Sequence, residues 1–469
     1  MRKLAFFAAL LAGTMVAKAE DITVNDIVYT INSDGTTVSV GNNTACTLED
    51  VVLPASINYD SKDYNVTNVS SSAFDDNKTI KTLTVAVPVI GPTAFRGCTN
   101  LSSVTLQEGV KSLGLAAFET TALTAVHIPA SVNSISTSND QPFVKCQNIT
   151  AFTVAEGNTA YCAVDGVLYN KSVTRLIAFP LAKKFNGFPG TVTEIGTAAF
   201  ECYNGFDTLT IPAHITGKCS GAFKKSSVKT LIAENTQFNN SFQNCSKLET
   251  IVLGKDFTTI GELTFKGCTA LTKITCMNET MPVMQQKNTS SWPCFGGVDM
   301  SSVKVYVPCG KSSDYTADTD KWADFTNITE TLFYDLKVSA DENGTAEVTT
   351  TPDCSTDAVI TATANSGYKF KQWSDGNTEN PRTLTVVQYA TIALTAEFEA
   401  VTAVNEADNS SLRVINNVIE NPENSTVKVY NILGQPVIVS QASSIDLNTL
   451  GSGVYIVNCG SETIKVVIG

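Results

Sequence analysis

Apolar residues recur through the first two thirds of the chain in one repeated unit. In the copy that ends at Cys276, Phe265 and Cys268 are followed by Leu271 and Ile274, with small or polar residues between them. The phenylalanine of the unit recurs at Phe74, Phe95, Phe118, Phe143, Phe200, Phe223, Phe242, Phe265 and Phe295, in steps of 21, 23, 25, 57, 23, 19, 23 and 30 residues. A period this short lies below that of the common all-helical repeats and indicates a solenoid of stacked units.

The spacing within the unit predicts its local structure. Ile274 and Cys276 are two residues apart, which is the strand period, so their side chains face the same side of a strand. Phe265 and Cys268 are three residues apart, which lets a short helical or 3₁₀ turn direct both side chains inward. One unit cannot bury these residues alone, whereas stacked units bury them in a continuous core. The predicted fold class is therefore β-dominated α/β, a solenoid with a parallel sheet along one side.

Changes of pattern divide the chain into segments. Residues 20–72 contain short strands and stand where a solenoid needs an end cap, and residues 73–330 hold the repeats and a second cap. Residues 331–400 alternate like half-buried strands and predict a small β domain. Residues 401–411 are polar and predict a linker. Alternating strands over residues 412–469 predict a C-terminal β-sandwich.

An insertion and a tryptophan add detail to this division. The step of 57 residues after Phe143 contains residues 165–169 and 175–180, which flank a polar turn and predict a hairpin. Trp373 is expected to lie in the core of the following β domain, because small β domains need an aromatic anchor.

Residues 1–19 predict a secretory signal peptide. Arg2 and Lys3 precede an apolar segment from Leu4 to Val16, and residues 17–19 form a small-x-small cleavage site. The apolar segment is too short to span a bilayer. We therefore expect cleavage of the signal, export of the mature chain and no membrane span.

Specific motifs resemble known families. Residues 24–29 (V-N-D-I-V-Y), together with the repeat I-G-x-x-x-F-x-G-C-x-x-L-x-x-I, resemble BspA-type leucine-rich-repeat surface proteins of the Bacteroidota, and residues 165–169 are similar to an insertion of that family. Residues 303–310, followed by Trp322, resemble the C-terminal cap of that family, which implies that Trp322 covers the last repeat. Residues 367–376 resemble the B-repeat modules of bacterial surface proteins, and residues 410–469 resemble the C-terminal sorting domain recognised by the type IX secretion system. These resemblances imply a leucine-rich-repeat solenoid, a secreted or outer-surface location, and contact with host or matrix proteins or with other bacteria.

Charge and composition argue against several functions. The 469 residues include 32 Lys plus Arg and 45 Asp plus Glu, and the net charge of −13 opposes binding to nucleic acid or to an anionic membrane. The only two histidines, His127 and His214, limit acid–base chemistry and metal binding, and both are expected to be ordinary surface residues. The sequence predicts no catalytic residue, no metal site and no cofactor.

The thirteen cysteines allow two interpretations. In an exported protein they suggest disulfides. However, Cys98, Cys146, Cys245 and Cys268 all follow the repeat phenylalanine by three residues, a position that favours small buried apolar thiols. Cys245 and Cys268, in consecutive repeats, are the best candidates for a bridge, since neighbouring strands lie within the Cα distance that a disulfide allows.

The outward positions of the predicted strands give the candidate binding face. Adjacent repeats are expected to align them in two columns of mostly hydroxyl side chains with almost no charge. Either strand propensity alone explains these threonines, or they form a flat contact surface for a protein partner; ice binding is disfavoured because Ala, Val, Ile, Lys and His interrupt the columns. The candidate residues are Thr82, Thr84, Ser103, Thr105, His127, Thr153, Thr208, Thr210, Thr230, Thr250, Lys273 and Thr275.

The function expected is therefore that of an exported repeat protein with an adhesin-like role, which binds a protein partner on host, matrix or bacterial surfaces. The C-terminal domain is expected to engage the type IX secretion machinery. Two alternatives remain. If the protein binds glycans, aromatic or acidic clusters are expected on a concave face. If it is a secreted hydrolase, a deep acidic cleft is expected.

Overall fold

The computed structural model describes residues 20–137, 140–287, 289–318, 321–401 and 412–469. The predicted signal peptide and all of the predicted linker except Val401 lie outside the described residues. The chain divides into two compact units, Met1–Thr331 and Leu332–Gly469, and each is described by itself.

The N-terminal cap begins the sheets of the solenoid. Its strands are β1 (Asp21–Val24), β2 (Ile27–Ile31), β3 (Thr37–Val40), β4 (Asp50–Leu53), β5 (Ser56–Tyr59) and β6 (Lys62–Val69). β1, β2 and β3 form an antiparallel meander, and β6 lies parallel to β3 and antiparallel to β5. β4 and β6 then each pair in parallel with a strand of the first repeat, so the cap starts both sheets of the repeat region.

Strands of two to five residues follow one another along the repeat region. In chain order they are β7 (Thr82–Val85), β8 (Val89–Ile90), β9 (Ser103–Leu106), β10 (Ser112–Leu113), β11 (Ala125–Ile128), β12 (Ser134–Ile135), β13 (Ala151–Val154), β14 (Tyr161–Val164), β15 (Val167–Asn170), β16 (Arg175–Ala178), β17 (Glu194–Ile195), β18 (Thr208–Ile211), β19 (Thr230–Ala233), β20 (Gln237–Phe238), β21 (Thr250–Leu253), β22 (Thr259–Ile260), β23 (Lys273–Cys276), β24 (Val283–Met284) and β25 (Lys304–Pro308). The C-terminal cap adds α1 (Ser312–Ala317), a 3₁₀ helix (Trp322–Asp324) and β26 (Asn327–Thr331).

Outside the insertion, the four- and five-residue strands of the repeats form parallel sheets, as the alternation predicted. They pair in the orders β4-β7-β9, β11-β13 and β18-β19-β21-β23-β25-β26. The two-residue strands form further parallel ladders, β6-β8-β10-β12 and β20-β22-β24. These short ladders were not predicted, because two residues are too few to show a strand period.

Stacked phenylalanine rings fill the core of the repeats. Phe74, Phe95, Phe118 and Phe143 lie at centroid distances of 5.0, 5.4 and 5.6 Å with nearly parallel planes. The predicted turn is also present: the Cys98 N–H donates to the Phe95 carbonyl at 3.3 Å, an i+3 to i bond. The Phe95 N–H meanwhile donates to the Ala117 carbonyl of the next repeat at 2.8 Å, so the backbone and the rings stack together.

A second ring stack begins inside the insertion. The predicted hairpin is confirmed as β15 and β16, and β14 adds an antiparallel third strand. Phe179, directly after β16, stacks on Phe200 at 4.6 Å, and its N–H donates to the Ala199 carbonyl at 3.2 Å. It therefore occupies the anchor position of a repeat that the sequence pattern did not reveal. The second stack continues through Phe223, Phe242, Phe265 and Phe295.

The insertion also separates the core into two clusters. Leu168, Ile177 and Ala178 pack with the N-terminal repeats. Val167 and Leu176, which point to the opposite side of the same strands, pack with the C-terminal repeats. The hairpin is therefore buried on both faces and forms a wall between the two cores.

The repeat cysteines are buried free thiols, as the register predicted. The thiols of Cys98, Cys146, Cys245 and Cys268 reach back to the phenylalanine carbonyl of the preceding repeat at 3.1, 3.0, 3.1 and 3.3 Å. The suggested bridge between Cys245 and Cys268 is wrong, because each thiol bonds to a carbonyl instead of to the other sulfur. Burial raises the pKa of Cys98 to about 12 and that of Cys245 to about 11, which keeps both protonated.

Trp322 closes the last repeat, as predicted. Its ring is fully buried and lies 6.5 Å from the ring of Phe295 and 5.1 Å from that of Tyr315. Its indole N–H donates to the Pro282 carbonyl at 2.8 Å, so burial leaves its polar atom satisfied.

The second unit contains only strands as regular elements within its described residues. They are β27 (Asp335–Ala340), β28 (Gly344–Thr350), β29 (Ala358–Ala364), β30 (Tyr368–Trp373), β31 (Arg382–Leu384) and β32 (Thr391–Ala400), then β33 (Arg413–Ile415), β34 (Val418–Glu420), β35 (Val427–Tyr430), β36 (Pro436–Ser440), β37 (Ser444–Asp446), β38 (Gly453–Cys459) and β39 (Glu462–Ile468). The first six form the sheets β27-β32-β30 and β28-β29-β31 around the buried Trp373, as predicted. The rest form the sheets β33-β34-β37 and β36-β35-β38-β39 around a separate core.

Candidate functional site

The outward residues of the long repeat strands form the surface that we call the threonine face. In β18, Leu209 and Ile211 are fully buried, whereas Thr208 and Thr210 between them are exposed. The parallel register then fixes which residues are neighbours. One column runs Thr208, Thr230, Thr250 and Lys273, and the other runs Thr210, Ile232, Val252 and Thr275.

The remaining candidate residues lie on two shorter sheets. Thr82 is opposite Ser103 and Thr84 is opposite Thr105 on β7 and β9. His127 is opposite Thr153 on β11 and β13. All twelve candidates thus lie on long-strand positions, but they belong to three hydrogen-bonded sheets, and the inserted hairpin follows β13 where the sequence suggested unbroken columns.

Both ends of the threonine face carry residues that the sequence analysis left out. Lys304 and Tyr306 on β25 continue the two columns after Lys273 and Thr275, and the Lys273 ammonium lies 4.9 Å from the Tyr306 ring centroid. This cation–π contact holds the tyrosine against the sheet. Apolar residues alternate over residues 303–307 as they do in the other long strands, and this pattern predicts the two column positions. The sequence analysis instead assigned that segment to the C-terminal cap.

The N-terminal end has a different chemistry. Asp50 and Val52 on β4 precede Thr82 and Thr84 in the columns. The Thr82 hydroxyl donates to the Asp50 carboxylate at 2.5 Å, and Val52 is 61% exposed. A carboxylate therefore stands at one end of the face, two lysines stand near the other, and hydroxyl and apolar groups lie between them.

His127 does not form a catalytic site with its neighbour. Its Nδ1 lies 2.9 Å from the Thr153 hydroxyl on the exposed face. A nucleophile–base pair also needs a group that orients the base. The carboxylate of Glu108, whose charge interacts with His127, instead accepts the N–H groups of Ala130 and Ser131, and these bonds lower its pKa. The pair is a surface hydrogen bond.

His214 differs from its prediction as an ordinary surface residue. The side chain is half-buried, and its Nε2 is enclosed without a hydrogen-bond partner among the described residues. The strand exit after Ile211 folds back over the core at Ile215, which is fully buried, and this brings the ring below the surface.

Charged residues meet on another side of the solenoid, which the sequence analysis missed. Lys145 lies 2.6 Å from Glu119 and 3.5 Å from Glu201, and Lys225 lies 3.4 Å from Glu201. Burial raises the pKa of nearby Asp140, with further contributions from the charges of Glu201 and Glu119. The two glutamates are thus neutralised by lysines and link the repeats on either side of the insertion. The cluster needs the folded chain, because its members are up to 106 residues apart.

Two cavities of the solenoid lie outside the threonine face. A cavity of about 90 Å³ lies beside the hairpin, lined by Tyr169, Phe179, Phe185 and Lys183, and an open polar depression lies at Asp21 and the neighbouring cap residues. Within the described ranges, no group of three histidines, cysteines or carboxylates could hold a metal ion. The helices of these ranges also include none long and apolar enough to cross a membrane.

Comparison with family models decides what the repeats are. Residues 29–150 and 182–287 match the BspA type leucine rich repeat region, in six copies. The solenoid is built of BspA-type leucine-rich repeats. Residues 334–402 match the divergent InlB B-repeat domain, and residues 409–468 match the secretion system C-terminal sorting domain. The sorting domain therefore directs this chain through type IX secretion to the outer cell surface or the medium.

Solved structures of other bacterial repeat proteins are similar to this chain. The pneumococcal vaccine antigen PcpA has 16% identity and a TM-score of 0.45, over 66% of this chain and 98% of its own. A leucine-rich repeat protein from Eubacterium ventriosum has 18% identity and a TM-score of 0.41, over 59% and 93%. A leucine rich cell surface protein from Faecalibacterium prausnitzii has 20% identity and a TM-score of 0.34, over 67% and 95%. No curated protein matches the chain.

Proposed function

We propose that the threonine face binds a protein partner at the bacterial surface, and that this BspA-type protein acts as an adhesin towards host, matrix or bacterial proteins. The observation that carries the proposal is the register of β18 to β26, which holds six long strands in one parallel sheet with their outward side chains in two columns. Parallel strands about 4.8 Å apart make this surface regular.

The chemistry of the columns suits a protein partner. Thr208, Thr210 and Thr250 offer hydroxyl groups that can donate and accept hydrogen bonds. Ile232 and Val252 between them offer apolar contact area. Most of the surface is uncharged, so a partner covers it with little desolvation of ionised groups, as the centres of protein interfaces require.

The alternatives find less support on this face. A glycan site is usually built around exposed aromatic platforms, and Tyr306, which is half-buried under Lys273, is the only aromatic residue in the described columns. A hydrolase needs free carboxylates in a cleft, whereas Glu119 and Glu201 are paired with lysines on a different side.

A binding assay with charge variants tests the proposal. The mature chain, residues 20–469, is screened against immobilised matrix proteins, bacterial surface extracts and glycans. Thr210→Lys places a charge in the middle of the face and is expected to weaken binding about tenfold or more, equivalent to ~1.4 kcal/mol. Thr191→Lys makes the same change at an exposed threonine in the loop before β17 and serves as the control.

The outcomes are distinct. Loss of protein binding in the Thr210 variant alone supports the proposal. Equal binding by both variants would show that the threonine face is not the contact surface. Binding to glycans but not to proteins would favour the glycan-binding alternative.

A further inference from the structure

The sorting domain exposes an apolar hairpin tip. Ile432 and Leu433 lie in the turn between β35 and β36, and each side chain is 77% exposed, more than any other large apolar residue in the part of the chain that the structure describes. Exposed apolar residues are ordinary when they are scattered singly. Two adjacent aliphatic side chains at the end of a hairpin are a concentrated feature and need a cause.

Hydrogen bonds hold this tip in one conformation. The Asn431 side-chain oxygen accepts the N–H groups of Leu433 and Gln435, both at 3.0 Å. The Asn431 N–H donates to the Gln435 carbonyl at 3.0 Å, and the Gly434 N–H donates to the Asn431 carbonyl at 2.9 Å. Gly434 has a φ of +76°, which suits the closing position of the turn. In the turn that these bonds close, Ile432 and Leu433 point away from the domain.

The strand that leaves the tip extends the apolar surface. β36 is the edge of the sheet β36-β35-β38-β39. Val437 and Val439 on its outward side are 40% and 61% exposed, whereas Ile438 between them packs on the core. Natural proteins usually protect such edges with charged residues. Residues 431–441 contain no charged residue, although the whole chain carries a net charge of −13.

We propose that Ile432 and Leu433, continued by Val437 and Val439, form the surface by which the sorting domain docks into an apolar groove of the type IX secretion machinery. The machinery is the occupant that the comparisons favour, because this hairpin belongs to the segment that matches a sorting domain. A rigid tip with two aliphatic anchors binds with little loss of conformational freedom. The adjoining uncharged edge can add backbone hydrogen bonds to a strand of the partner.

Export of full-length variants tests this surface. Ile432→Ser combined with Leu433→Ser removes both anchors, and Val437→Thr combined with Val439→Thr changes the edge while it keeps β-branched side chains. Ile415→Ser is the matched control, because Ile415 is also an exposed aliphatic residue of this domain, at 48%, but lies on the other sheet. In a host with type IX secretion, the surface and medium are separated from the periplasm and the protein in each is quantified.

The tip variant is expected to be exported at least about tenfold less than the unsubstituted protein and to accumulate in the periplasm, since loss of two central anchors typically weakens an interface by this factor or more. The control variant should be exported normally. The thermal unfolding of each purified variant shows whether the sorting domain remains folded. If the double serine variant unfolds early, Leu433→Gln alone is measured by the same two methods.

Two results would overturn the proposal. One is export of a folded tip variant at the level of the unsubstituted protein. The other is a dimer of the mature chain that the tip variant dissociates while export is unchanged, because the surface would then be a contact between copies. A chain without residues 409–469 shows independently whether the domain is needed for export at all.

Discussion

Replacement of Phe179 by alanine should reveal the wall between the two cores. The ring is 5% exposed, stacks on Phe200 at 4.6 Å and meets Tyr203 edge-on at 5.2 Å. Burial of a phenylalanine side chain contributes about 2–3 kcal/mol, and its ring contacts and the cavity left behind add to the cost. We expect the free energy of unfolding to fall by about 3–5 kcal/mol.

The distribution of this loss is the sharper expectation. Because Phe179 belongs to the C-terminal cluster, amide hydrogen exchange should accelerate at Phe200 and Phe223, with much smaller changes at Phe95 and Phe118. Urea denaturation gives the total loss, and hydrogen exchange read by mass spectrometry gives its location. Equal acceleration on both sides of the hairpin would refute the two-core description, and no acceleration at Phe200 would refute the anchor role of Phe179.

Other outcomes follow from the thiols, the ion cluster and the tail. Burial raises the pKa of Cys98 and Cys276 from 9 to about 12. Below pH 9 these thiols are protonated in the folded and in the unfolded protein, whereas between pH 9 and about 12 only the unfolded thiols ionise, so stability should be lost over this range. Thiolate absorbance should then appear together with unfolding. Glu201→Gln should lower the free energy of unfolding by about 1–3 kcal/mol, measured against the exposed Glu194→Gln. Deletion of residues 409–469 should leave the protein in the periplasm, where fractionation would detect it.

Much of the fold follows from the sequence because its signals are local. A phenylalanine and a cysteine three residues apart, followed by an alternating pair such as Ile274 and Cys276, specify turn, strand and inward face within one unit. Each stacked unit then repeats the same turn, strand and inward face. The buried thiols of Cys98 and Cys146 were predictable for the same reason, since both follow the repeat phenylalanine by three residues.

Features that depend on distant contacts were not predictable. Phe179 lacks the flanking pattern of the other anchors, and only its stacking on Phe200 and its bond to Ala199 reveal its role. Glu201 and Lys145 are 56 residues apart, and their pairing depends on how the insertion is accommodated. His214 is drawn below the surface by the chain around it, which a local pattern cannot indicate.

The anchor in the insertion changes what the threonine face can be. Phe179 begins the second ring stack, because it supplies both a ring against Phe200 and a backbone bond to Ala199 at the repeat position. The long strands before and after the insertion belong to separate sheets, β11-β13 and β18-β19-β21-β23-β25-β26. A partner that needs a continuous regular surface therefore has more of it on the C-terminal side, where six strands are in register. For this reason Thr210→Lys should weaken such a partner more than the same substitution at Thr105, and a reversed order would place the contact on the N-terminal repeats.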